Sequence, residues 1–196
     1  MTNLAVVVPL KRFSVAKDRL RQAGAVDVTA LARALALGVV RNSAPRHVII
    51  LSESDEVTDF ARSNGVEVIE SNALGLNDAV QRAYETIGTR FQQLMIVHGD
   101  LSYPDGLGAF EPETGVTIVT DHRQLGTNVL VLPTGTRFRF SYGSDSMARH
   151  QSEAERLRLE YRIITDSFWA YDVDEPEDVE RSQESTKGGP KAPFGA

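Results

Sequence analysis

The sequence predicts an α/β sandwich, a mostly parallel central sheet with helices on both faces. Three observations predict it. First, residues 4–9, 48–51 and 94–97 are unbroken apolar runs rich in β-branched residues, the pattern of strands buried on both sides. Second, longer segments with helical apolar spacing lie between such runs. Third, β, α, β, α, β alternate across residues 4–69, the signature of a doubly wound sheet. At 196 residues and 41% hydrophobic, the chain can bury one substantial core. A single domain over residues 1–184 is expected, followed by a Gly- and Pro-rich disordered tail over 185–196.

In chain order, Leu4-Ala5-Val6-Val7-Val8-Pro9 is the first strand. Lys11, Arg12, Lys17 and Arg19 follow it directly. Ligands of open α/β sheets bind outside the carboxyl ends of the strands, so this loop can hold a phosphate-bearing ligand through side-chain charge. It can equally be a solvated basic loop. It holds no glycine, so it is neither a G-x-G-x-x-G nor a Walker loop. Residues 28–41 carry Leu31, Ala34, Leu35, Gly38 and Val39 at helical period, with Thr29 as a possible cap. Residues 47–51 form the second strand. Ser52 to Asp55 turns into a helix through Ala61 that ends at Asn64-Gly65, and residues 66–69 are the third strand.

In the next loop, Gly75 allows tight backbone approach. Asn77 can cap a helix over 79–86 or read a base or ribose. Residues 94–97 are the fourth strand and lead to His98-Gly99-Asp100-Leu101. Asp100 stands where an α/β enzyme places a metal ligand, just past a central strand. Further strands are expected at 116–120 and 129–132. Gly126-Thr127-Asn128 before the latter can bind a carboxylate or phosphate, or simply turn. Residues 138–142 read as a short extended piece. Ser144 or Asp145 can then cap a helix to about residue 160, whose start, beside Gly143 and Ser146, can hold an anion. Arg149 and His150 lie one turn further on. Strands are expected at 161–165 and 169–172.

Asp172 and Asp174 close the last strand. Two residues apart on a strand, their side chains leave one face roughly 6.5–7 Å apart. Carboxylates that close repel unless a cation sits between them or one is protonated, and all-oxygen ligation suits Mg²⁺. The bland alternative is that both cap a turn and stay solvated. Pro176 can take the first helical position after them.

Composition excludes several classes. A net charge of −6 argues against a general nucleic-acid binder. The absence of cysteine removes disulfides, thiolate zinc sites and cysteine nucleophiles. His47, His98, His122 and His150 are scattered, without H-E-x-x-H spacing. The apolar run at residues 4–10 is too short to span a bilayer and lacks the flanks of a signal peptide. A cytoplasmic protein without membrane or nucleic-acid partners is expected.

Six motifs stand in register: Val-Val-Pro-Leu-Lys with Ala16-Lys17-Asp18-Arg19-Leu20, Gly75-Leu76-Asn77, Gly99-Asp100-Leu101, Gly126-Thr127-Asn128, Tyr142-Gly143-x-x-Ser146-x-x-Arg149-His150 and Asp172-x-Asp174-x-Pro176-x-Asp178. Together they closely resemble the CofC/FbiD guanylyltransferases of coenzyme F420 biosynthesis. The resemblance covers the chain from Leu4 to about Val179. It implies a Rossmann-like nucleotidyltransferase sandwich and transfer of GMP from GTP to a small phosphorylated acid, with release of pyrophosphate. The acid is 2-phospho-L-lactate, phosphoenolpyruvate or 3-phospho-D-glycerate, depending on the member. Carried over by residue, the resemblance implies Asp100, Asp172 and Asp174 as ligands of Mg²⁺, with two ions expected. It implies Thr127, Gly143 and Ser146 as contacts to the acid, and Lys11, Lys17, Gly75 and Asn77 on the nucleotide side. Lys17 also counts among the catalytic groups. The labile family product makes hand-off to the next transferase of that pathway an expectation.

This chain departs from the family pattern in three places. Ser102 replaces the usual proline of Asp-Leu-Pro, the segment 102–124 is shorter, and Glu175 replaces the threonine before Pro176. Three other readings stay open. One is a molybdopterin or sugar-phosphate nucleotidyltransferase of the same fold, which would normally carry a Gly-rich first loop. Another is a phosphatase, which would carry its D-x-D on the first strand. The last is a non-catalytic nucleotide-binding relative.

Overall fold

A computed structural model describes residues 3–25, 27–72 and 75–179 of the chain. The expected tail at 185–196 lies outside the described residues. The elements are β1 (Leu4–Leu10), a 3₁₀ turn (Phe13–Val15), α1 (Asp18–Gln22), α2 (Val28–Asn42), β2 (His47–Ser52), α3 (Asp55–Ser63), β3 (Glu67–Glu70) and α4 (Leu76–Ile87). They continue with β4 (Gln93–Val97), β5 (Val116–Thr120), β6 (Thr127–Pro133), α5 (Ser146–Arg156), β7 (Tyr161–Ile164) and a second 3₁₀ turn (Phe168–Ala170). No helix among them is long and apolar enough to cross a membrane.

The seven strands lie in the order β3-β2-β1-β4-β6-β5-β7. All neighbours are parallel except those of β6, which runs antiparallel to both β4 and β5. The expected mostly parallel sheet is therefore present. The apolar runs explain its burial, because side chains alternate across a strand. Val6, Val8, Ile50, Met95, Val97, Val129 and Val131 face one layer with Ala36 and Val39 of α2 and Val57 and Phe60 of α3. Ala5, Val7, Ile49, Leu51, Leu94, Ile96, Leu130 and Leu132 face the other, with Val80, Tyr84 and Ile87 of α4 and Ala154 of α5. Each Val, Leu, Ile, Phe or Met among them contributes roughly 1.5–3 kcal/mol by leaving water, so both helical layers are held by one sheet.

Several local expectations are corrected. Asp27, not Thr29, caps α2, its carboxylate accepting from Ala30 N–H. The Thr29 hydroxyl instead accepts from Arg21 Nη2. Helix α4 begins at Leu76 with Gly75 as its N-cap, before Asn77. Asp145 occupies the N-cap of α5 in the left-handed region, with no side-chain cap bond. That helix ends at Arg156, four residues short of the expected 160. The final strand at 169–172 is absent. Trp169 is in a 3₁₀ turn anchored by Ser167, whose side chain accepts from Trp169 N–H. Only an isolated antiparallel bridge between Leu101 and Asp172 remains.

Candidate active site

That isolated bridge builds the site. After β4 the chain passes Gly99, where an added Cβ would push aside the Leu10 side chain at the end of β1. The next residues pair with the segment after the second 3₁₀ turn. Ser102 N–H donates to Tyr171 O at 2.8 Å, and Val173 N–H donates to Asp100 O at 3.0 Å. A proline at 102 would lack the first of these bonds. This short antiparallel ladder sets Asp100 beside Asp172 and Asp174, with one ligand oxygen from each within 4.8 Å of the others. The three acids converge as expected, although a paired turn rather than a strand face aligns them.

Two further side chains hold the acidic edge. Asn128, at the start of β6, donates through Nδ2 to Trp169 O at 3.1 Å and to Asp172 Oδ1 at 3.5 Å. Asp178 accepts N–H bonds from Asp174 at 3.0 Å and Glu175 at 2.9 Å through Oδ2. It caps the helical turn that starts at Pro176. Glu175, in place of the usual threonine, pairs instead with Arg19 and Arg123.

Lys17 sits among the acids. It bonds Asp100, and its Nζ lies 2.8 Å from Asp174 Oδ1. Its side chain is 7% exposed. Burial alone would lower the ammonium's pKa, but the charges of Asp100 and Asp174 outweigh this and hold it above the usual lysine value. For Asp100, burial pushes upward, yet the Lys17 ammonium and then His98 hold the carboxyl below its ordinary value. Asp172 has no such cation. Burial, then the charges of Asp100 and Asp174, raise its carboxyl. Asp100 Oδ1 is buried without a hydrogen-bond partner among the described residues. An all-oxygen donor set, one orphaned carboxylate oxygen and one carboxyl raised by its neighbours' charge together fit a hard divalent cation.

A cleft of about 580 Å³ opens over this edge. Lys11, Lys17, Asp100, Asp172 and Asp174 line one part of it, and Thr127, Gly143 and Ser146 another. Lys11 is exposed and pairs with no carboxylate among the described residues. Gly143 holds a φ of +121° with open space around it, a conformation that a side chain would strain. Thr127 and Ser146 are buried, with Ser146 Oγ 3.3 Å from Thr127 Oγ1.

Other expected contacts are already committed within the protein. Asn77 is not on the cleft wall: its amide pairs with the Tyr142 main chain, Oδ1 accepting at 2.6 Å and Nδ2 donating at 3.1 Å. It fixes the segment leading to Gly143. Gly75 is exposed beside open space and does not line the cleft either. The Leu125 and Gly126 N–H groups donate to Asp121 Oδ1 at 2.7 and 2.8 Å, so an internal carboxylate takes the amides expected for a ligand. At the start of α5, Ser146 N–H goes to Gly143 O and Met147 N–H to Leu125 O. The Thr127 hydroxyl, rather than those two amides, remains for an anion there. Asp178 was legible as the third residue after Glu175, the spacing of a capping box. Asp121 has no local signal, because its partners lie four and five residues on in an irregular loop.

Comparison with known proteins shows the family. Residues 4–182 match the family profile described as "Guanylyl transferase CofC like". A phosphoenolpyruvate guanylyltransferase of Sphaerobacter thermophilus is 31% identical over 194 residues, 92% of each chain. A 3-phospho-D-glycerate guanylyltransferase of Colwellia psychrerythraea is 27% identical over 187 residues, 89% of each chain. Among solved structures, 4-diphosphocytidyl-2C-methyl-D-erythritol synthase from Anaerococcus prevotii superposes with a TM-score of 0.64 at 6% identity. That match covers 95% of this chain and 99% of the other; at such identity it speaks for the fold.

Proposed function

The chain belongs to the family of CofC-like guanylyl transferases, and from that premise we propose that it transfers GMP from GTP to a small phosphorylated acid in coenzyme F420 biosynthesis. The observation carrying this reading is the convergence of Asp100, Asp172 and Asp174 beside Thr127, Gly143 and Ser146 in one cleft. Phosphoenolpyruvate, the acceptor named for the Sphaerobacter relative, is the first acid to test, with 3-phospho-D-glycerate and 2-phospho-L-lactate beside it.

In this mechanism an oxygen of the acceptor phosphate attacks the α-phosphorus of GTP. The new P–O bond forms as the bond to the β-phosphate oxygen breaks, and pyrophosphate leaves with that electron pair. The acceptor phosphate is ionised near neutral pH, so no side chain need remove a proton. Asp100, Asp172 and Asp174 would hold Mg²⁺, two ions by the family pattern, which supplies charge neutralisation between two anionic reactants. Lys17, once released from the acids, and Lys11 at the rim supply cationic contacts for the triphosphate. Thr127, Gly143 and Ser146 position the acid. The product would pass to the next transferase of the pathway.

The test incubates the protein with GTP, Mg²⁺ and each acid separately, following pyrophosphate and the nucleotide product by mass. Pyrophosphate equal in amount to a GMP–acid adduct, with one of the acids, is expected. Nucleotide binding with no pyrophosphate from any acid would overturn the reading in favour of a non-catalytic relative.

A further inference from the structure

His150 lies on α5, wholly buried, one turn beyond Ser146. Its two ring nitrogens have different partners. Nε2 is 3.1 Å from the Ser141 main-chain N–H, which can only donate. Nδ1 is 3.1 Å from Thr127 Oγ1. A neutral imidazole carries one proton. Because Nε2 must accept from Ser141, that proton belongs on Nδ1 and is donated to Thr127. Ser146 Oγ also donates to Thr127 Oγ1 at 3.3 Å. Two incoming donors fill both lone pairs of the Thr127 hydroxyl. Its own proton must then point to an acceptor, and none is present for it among the described residues. Thr127 lines the cleft.

We propose that His150 is a positioning residue that makes the Thr127 hydroxyl a one-way hydrogen-bond donor toward an anionic oxygen of the acid. This deepens, and rests on, the functional reading above. The direction of donation runs from the Ser141 N–H through His150 to Thr127 and out to the ligand. A ligand oxygen that is ionised completes the chain, whereas a ligand group that must itself donate would meet Thr127 proton to proton. The site therefore selects a hydrogen-bond acceptor at this position, which a carboxylate or phosphate oxygen of the acid supplies.

The environment keeps the imidazole neutral. Burial, then the charge of nearby His98, lowers its pKa to about 4, and Glu153 on the same helix opposes this only in part. The Tyr142 ring packs edge-on at 4.8 Å and the Phe138 ring at 5.9 Å. Neither offers the ring nitrogens another partner.

Two measurements test this. Long-range proton–nitrogen correlation spectra of the wild-type protein at about pH 6, with His150 assigned through its loss in His150→Asn, read the tautomer directly. An Nδ1–H imidazole is expected. An Nε2–H tautomer, or an imidazolium at that pH, would overturn the proposal. In kinetics, His150→Phe should raise KM for the acid about tenfold, the size of one hydrogen bond, with KM for GTP unchanged. His150→Asn should recover most of this, because its amide N–H₂ can stand where Nδ1–H does. In a Thr127→Val background, His150→Phe should add nothing further. Equal rises in both KM values, or additive effects, would refute the relay. If the wild type transferred GMP to no acid, the functional reading would fall and take the acceptor's identity with it. The spectrum would still decide how His150 and Thr127 are joined.

Discussion

Lys17 holds its backbone at φ 63°, a left-handed conformation that costs a non-glycine residue about 1–2 kcal/mol. The ammonium this places between Asp100 and Asp174 offsets their repulsion, but Asp172 receives none of that relief. A carboxyl whose folded pKa is raised costs stability when ionised. The cost is present in full above the raised value, fades as pH falls through it, and is gone below the ordinary carboxyl value. Removing the charge with Asp172→Asn should therefore raise the thermal midpoint of metal-free protein while lowering turnover on the order of 100-fold or more. Glu177→Gln, exposed three residues beyond Asp174, should change neither. Calorimetry without Mg²⁺ and steady-state rates with it read both effects, and equal turnover in the two variants would remove the metal assignment. The acids were legible in the sequence because each follows an apolar run. The role of Asn77 was not: its amide meets Tyr142 main-chain atoms 65 positions away, a separation that no local spacing reveals.

At the scale of elements, the acidic edge depends on how the helical turn at Pro176 starts. Asp178 takes the N–H groups of both Asp174 and Glu175, so one cap both begins a helix and fixes the backbone of a proposed ligand. Asp178→Ala should cost about 1 kcal/mol, a drop of about 2–4 °C in Tm for a chain of this size. It should also raise the Mg²⁺ concentration needed for half-maximal rate. A lower Tm with an unchanged Mg²⁺ requirement would separate the cap from the site. The sequence showed the central strands of the sheet well, since β1, β4 and β6 are largely apolar runs buried on both sides. It misled at 169–172, where apolar and acidic residues imitate a strand. There the Trp169 indole N–H donates to Asp105 O and its ring packs against Phe110, so tertiary contacts favour a tight turn over an extended chain.

For the molecule as a whole, two hydrophobic layers share one sheet, and neither can dissolve without exposing the other's strands. Trp169, the single tryptophan, reports on the layer with α2 and α3, while Leu130 points into the layer with α4 and α5. Leu130→Ala should cost about 2–5 kcal/mol. It should move the denaturation midpoints of tryptophan fluorescence and far-ultraviolet ellipticity together. Midpoints that separate would show two cooperative units instead of one. The doubly wound start of the fold was legible in the alternation of residues 4–69. The reversal of β6 was not, because an antiparallel strand buried on both faces reads like a parallel one.

That reversal has an evolutionary consequence. Since β6 runs against β4, its first residues meet the last residues of β4, and His98 N–H bonds Asn128 O across the junction. The loop at 121–126 thus reaches the cleft beside the acidic edge, its Arg123 pairing with Glu175 and its His122 ring stacked on Tyr171. Insertions and deletions in that loop are therefore constrained, because they would move the acidic edge together with the Thr127 side of the cleft.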